Sequence, residues 1–168
     1  MSPGGKDRLT LVLAALTVLV LALSVPGSLR EAWERGGLYI FSRDFLVDLP
    51  KRLFGPGRFR LLLQPLVAMT LGVAAGRADA RAGRPPYLYA LLLGSQNRGA
   101  LARSALGDVA NLLLVGVLLD SVCQWLILGA SYLGAALLVG PVLIAVPYAS
   151  ARALANRVAA ARESRSTR

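Results

Sequence analysis

Four polar side chains interrupt the longest apolar run of the chain: Asp108, Asn111, Asp120 and Gln124, all within residues 106–128. A carboxylate near the middle of a membrane helix costs roughly 2.5–3.5 kcal/mol on insertion, so it normally faces protein or water. Asp120 stands just past the centre of this run. Gln124 lies one helical turn further on and Gly116 one turn before, so the three share a face. Two kinds of chemistry fit such a stripe. One is a proton- or ion-binding carboxylate of a carrier. The other is interhelical glue, a protonated Asp120 hydrogen-bonded to Gln124 or to a neighbouring helix. The glue reading is preferred, because a pathway needs several convergent polar groups and few line up here. Asp108 falls near the start of its helix, where the helix dipole favours negative charge. Asn111 sits about 60° round the helix from it. Together these four residues form the candidate polar intramembrane site.

Other chemistry is poorly supplied. The chain has no histidine and a single cysteine, Cys123. Histidine-based acid–base catalysis and the usual zinc triads therefore have no ligands, and no internal disulfide is possible. No phosphate-binding loop and no serine-based triad is present. Ala105-Leu106-Gly107-Asp108 resembles the Gly-x-Gly-Asp of intramembrane aspartyl proteases, but alanine replaces the first glycine and the companion Tyr-Asp helix is missing. Asp79-Ala80-Arg81 resembles a fragment of the phosphatidyl-alcohol transferase signature without its later paired aspartates. No catalytic residue, metal ligand or cofactor is predicted, and the chain is not expected to be an enzyme.

The elements that must position these residues are apolar blocks. Of 168 residues, 55% are hydrophobic and only 17% charged, against about a quarter charged in soluble domains. Mean hydropathy is +0.57. The apolar residues are gathered into runs whose length points to lipid. The predicted fold class is an all-α integral membrane protein, a single membrane domain with three to four membrane-embedded helices and a C-terminal transmembrane helical hairpin. Residues 9–25, followed by Pro26-Gly27, form a helix that is either a retained anchor or a signal peptide with Ala22-Leu23-Ser24 as its cleavage site. An interfacial segment follows over 26–58, where bulky apolar and basic residues alternate. Residues 61–76 form a short spanning or re-entrant helix, and 77–105 a cytoplasmic or interfacial connection. The hairpin comprises 106–128 and 132–150, with Pro141 and Pro147 as kinks. A basic cytoplasmic tail fills 151–168. Ala68, Gly72 and Gly76 recur every four residues, a small-residue stripe that lets another helix pack closely.

Net charge is +10, with arginine far ahead of lysine. The basic residues lie between apolar blocks, where they act as a topology signal, and nucleic acid is not an expected partner. The turn at 129–131 is uncharged, whereas Arg98 and Arg103 precede the hairpin and five arginines follow it. The positive-inside rule therefore puts both hairpin ends, and the C-terminus, in the cytoplasm. Counted over the whole chain, basic residues favour three spans with a re-entrant 61–76. Four spans are preferred nonetheless, because re-entrant backbone exposed to lipid would be unsatisfied.

The stretch from Phe59 to about Arg157 resembles an uncharacterised family of small bacterial multi-pass membrane proteins. The resemblance rests on Arg60-Leu61-Leu62-Leu63-Gln64-Pro65-Leu66, on Ala78-Asp79-Ala80-Arg81-Ala82-Gly83-Arg84-Pro85-Pro86-Tyr87, and on Pro147-Tyr148 with Asn156-Arg157. It implies the bacterial cytoplasmic (inner) membrane and attaches no function. Excess arginine and alanine point the same way. The expected role is a non-catalytic accessory, scaffold or assembly subunit embedded in the lipid bilayer, packing with a larger membrane partner or as a homo-oligomer. The alternative is a small carrier or channel component using Asp120 as its proton or ion site.

Overall fold

The computed structural model describes residues 3–55, 58–94 and 98–166. The chain is 89% helical, with no strand among the described residues. Among the described residues six helices follow in order: α1 (Pro3–Arg35), α2 (Arg43–Phe54), α3 (Arg58–Arg81), α4 (Tyr87–Leu92), α5 (Arg98–Leu128) and α6 (Leu133–Ser166), with a short 3-10 turn at Tyr39–Phe41. Four of them, α1, α3, α5 and α6, are long and apolar enough to cross a bilayer. The chain is an all-α membrane protein, and α5 and α6 form its C-terminal helical hairpin. Many large apolar side chains on these helices face outward, among them Leu11, Leu23, Leu62 and Leu126. In lipid such faces cost nothing to expose, because the tails are as apolar as the side chains.

The helices overrun the blocks read from hydropathy. Pro26 does not end the first helix; α1 runs on to Arg35 and absorbs the start of the 26–58 segment. Proline inside a helix forfeits one backbone bond and bends it, which a long helix tolerates. The 61–76 block lies inside α3, which is unbroken over 24 residues and through Pro65. At 1.5 Å per residue it reaches about 36 Å, enough to span. The 77–105 connection is mostly helical too: α3 continues to Arg81, α4 occupies part of it, and α5 starts at Arg98. Arginine and alanine are good helix formers, so charge at a span's end does not stop the helix. What stops α3 is Gly83, at φ 64°, followed by Arg84-Pro85-Pro86. The tail from Ala151 prolongs α6 to Ser166, and Pro141 and Pro147 leave that helix continuous.

The chain packs as two compact units, one of Met1–Leu62 with Asn111–Val142, the other of Leu63–Ala110 with Leu143–Arg168. In the first, α1 lies parallel to α5, held by side-chain hydroxyls. Thr10 Oγ1 donates to Asn111 Oδ1 at 2.8 Å, and Thr17 Oγ1 reaches Leu114 O at 3.3 Å. Ser28 Oγ donates to Ser131 O at 3.2 Å and accepts from Leu133 N at 3.0 Å. The hairpin turns at Gly129, φ 71°, and its arms cross where Gly140 meets Gly116. A Cβ on Gly140 would stand 2.9 Å from the Gly116 carbonyl carbon, so the α6 arm has no room for a side chain there. Tyr39 stacks on Tyr132 with ring centroids 3.8 Å apart and donates its hydroxyl to Asp48 at 2.8 Å. Ser42 caps α2, its Oγ accepting from Phe45 N at 3.3 Å.

In the second unit α3 runs parallel to α6. Gly72 abuts Tyr148 O and Ala151, and Gly76 abuts Arg152 O and Ala155; a Cβ on either glycine would collide with the α6 backbone. Ala68 completes this face, fully buried. The close approach follows from the four-residue spacing of the small residues, which keeps them on one side of α3.

Candidate functional site

In the first unit the carboxylate of Asp120 is fully buried. Gln124, one turn on and also fully buried, donates its Nε2 to Asp120 Oδ2 at 2.5 Å. The other amide atom, Gln124 Oε1, accepts from Tyr132 N at 2.9 Å and so ties α5 to the first turn of α6. On the opposite side of the carboxylate stands Arg60 of α3, with Nη1 2.5 Å from Asp120 Oδ1 and a side chain only 5% exposed. The two atoms touch as an ion pair, off the linear geometry of a hydrogen bond. The site is therefore a guanidinium–carboxylate–amide chain, not a carboxyl bonded only to an amide. Asn111 takes no part in it and accepts from Thr10 on α1.

Asp108 belongs to a second, larger cluster in the other unit. Its centre is Arg152, of which 2% is exposed. The guanidinium grips Asp79 with two bonds, Nε to Oδ2 at 2.6 Å and Nη2 to Oδ1 at 3.1 Å. Such a fork fits the planar geometry that makes arginine–carboxylate pairs strong. The remaining nitrogen, Nη1, donates to Tyr148 Oη at 2.8 Å, and that hydroxyl donates onward to Asp108 Oδ2 at 2.6 Å. Asp108 Oδ2 also lies 3.7 Å from Arg152 Nη1. The Tyr87 ring covers the guanidinium with its centroid 4.7 Å from Cζ, and it meets Tyr148 edge-on. Burial pushes the Tyr87 hydroxyl above its usual pKa, against a smaller opposing pull from the Arg152 charge. Arg84 Nη1 adds a contact to Asp79 at 3.3 Å, and Asn156 Nδ2 donates to Arg84 O at 3.0 Å. The cluster thus joins α3, the 82–86 turn, α4, α5 and α6 within one unit.

Of the four polar residues singled out in the sequence, Asp120 and Gln124 meet directly, whereas Asp108 and Asn111 each serve other partners. Arg60, Asp79, Tyr87, Tyr148 and Arg152 were absent from that set. A signal for them existed. Between Asp48 and Glu163 the chain has three acidic residues, Asp79, Asp108 and Asp120, and each contacts a buried arginine. Five of the residues that carried the family resemblance, Asp79, Arg84, Tyr87, Tyr148 and Asn156, meet in the Arg152 cluster. Among the described residues no group of three metal-ligating side chains occurs.

Chemically, both clusters are closed. Arg60 faces Asp120 and Arg152 faces Asp79 as buried opposite charges, and Gln124 on the same helix and the Tyr148 phenol donate to Asp120 and Asp108. Comparison with family models, with curated proteins and with solved structures finds no match to this chain.

Proposed function

We propose that the chain is a non-catalytic, multi-pass protein of the bacterial cytoplasmic membrane, an accessory or assembly subunit that packs with a larger membrane partner or with further copies of itself. The observation that carries this reading is the Arg60–Asp120–Gln124 chain. A carrier needs a carboxylate that exchanges its proton or ion with solvent; Asp120 is fully buried and held by a guanidinium and an amide. The same groups serve well as a lock between helices. A partner surface is available on α1. Only 11% of its spanning window is buried, and Leu11, Val18 and Leu23 are each at least 65% exposed.

Topology enters the same proposal. Parallel packing of α1 with α5 and of α3 with α6, and antiparallel packing in the hairpin, support four alternating spans. Arginines after the hairpin then put both termini in the cytoplasm. The test is purification in mild detergent from the native host through a C-terminal tag. A fixed membrane partner, or a homo-oligomer, is expected to accompany the chain. Recovery as a lone protomer that conducts protons or ions in liposomes, with loss of conduction in Asp120→Asn, would instead establish the carrier.

A further inference from the structure

In the second unit a groove of about 450 Å³ runs between α3 and α6. Its α3 wall is built from residues four apart, Met69, Val73, Arg77 and Arg81, a single helical stripe. From residue 69 to its first arginine at 77 that stripe covers about 12 Å, most of the roughly 15 Å of hydrocarbon in one bilayer leaflet. The α6 wall is set by the close approach at Gly72 and Gly76, which leaves small side chains such as Ala155 along the floor. Because the helices are parallel, their basic residues collect at one end. Arg77, Arg81 and Arg162 line that end, and Met69, Val73 and Leu154 line the rest.

The charge is unbalanced. No acidic side chain lines the groove, and none of the three arginines is ion-paired among the described residues. This sets them apart from Arg60 and Arg152, whose carboxylates are supplied from within. A guanidinium group seeks bidentate anions, phosphate above all. An apolar channel most of one leaflet long that ends in three unpaired guanidinium groups matches one molecule in both halves. We propose that the groove binds one anionic glycerophospholipid, with its phosphate and headgroup among Arg77, Arg81 and Arg162 and one acyl chain along Met69, Val73 and Leu154. Basic pockets between membrane helices hold lipid headgroups in this way, and the cytoplasmic leaflet is the richer in anionic lipid.

The test is native mass spectrometry of the delipidated full-length protein titrated in detergent with phosphatidylglycerol or phosphatidylcholine of identical chains. The native chain is expected to retain phosphatidylglycerol about tenfold better or more, each nearby basic residue adding to the attraction. Arg77→Gln/Arg81→Gln/Arg162→Gln should abolish that preference, while Arg30→Gln/Arg43→Gln, which removes charge from the other unit, should leave it unchanged. Val73→Trp, which fills the apolar part, should lower retention of both lipids. Equal retention of the two lipids by the native chain would overturn the proposal. So would a preference that survives the triple substitution, or one that Arg30→Gln/Arg43→Gln removes equally.

Discussion

Removing Arg152 while keeping Asp79 should unfold the second unit more readily than removing both. Arg152→Met keeps most of the side-chain length and deletes the charge. It strips Asp79, 3% exposed, of its two-bond partner and leaves the Tyr148 hydroxyl without the guanidinium. Breaking one side of a buried pair typically costs about 3–5 kcal/mol, because the surviving charge is stranded. Here the lower end applies. Arg84, half exposed and 3.3 Å from Asp79, stays to neutralise part of the charge. Asp79→Leu should also cost about 3 kcal/mol, since Arg152 would keep Tyr148 and a looser contact with Asp108. In Asp79→Leu/Arg152→Met neither charge remains, and the cost should fall below that of either single change, a coupling of about 3 kcal/mol or more. Equilibrium unfolding of the four proteins in mixed micelles, followed by far-UV circular dichroism, measures the cycle. Strictly additive effects, or single changes each under about 1 kcal/mol, would refute the reasoning.

The same logic extends to the other cluster and to the helix contacts. Asp120→Asn should strand Arg60 and cost about 3 kcal/mol, whereas Arg60→Gln/Asp120→Asn should recover most of it, measured by the same unfolding assay. Tyr148→Phe removes the hydroxyl that bridges Arg152 and Asp108 and should cost about 1–3 kcal/mol, read as a lowered melting temperature in detergent. Gly76→Leu should force α3 off α6, giving a larger loss than Gly27→Leu, since Gly27 has open space around it; relative yield of folded protein in detergent compares the two. In a Cys123→Ser background, Ala130→Cys should react with an impermeant thiol reagent added outside intact cells and Ala160→Cys should not; labelling at 160 from outside would reverse the proposed orientation.

Much of the fold could be read directly from hydropathy, because a bilayer accepts only runs of about 20 apolar residues and the chain carries them in blocks. The packing face at Ala68, Gly72 and Gly76 could be read as well, since glycine at four-residue spacing has few other uses inside a span. Helix ends could not. Hydropathy registers where lipid stops, and a helix such as α6 continues past its apolar block on arginine- and alanine-rich sequence. The hydroxyl stripe of α1 is legible too: Thr10, Thr17 and Ser24 are the polar residues of an otherwise apolar block, seven apart and hence on one face. Arg60 and Arg152 were hidden for a physical reason. An arginine beside a span ordinarily snorkels to the headgroups or sets topology, and nothing local marks one that turns inward. The mark is distant: scarce carboxylates at 79, 108 and 120 that each need a cation.

The central claim is that these internal charges lock a subunit together for assembly and transport nothing. Native mass spectrometry of the tagged chain released from native-membrane nanodiscs tests it most directly. The 17.7 kDa protomer is expected within a larger complex of fixed composition, and Arg60→Gln/Asp120→Asn should assemble into the same complex. A native chain that appears only as the free protomer would contradict the account.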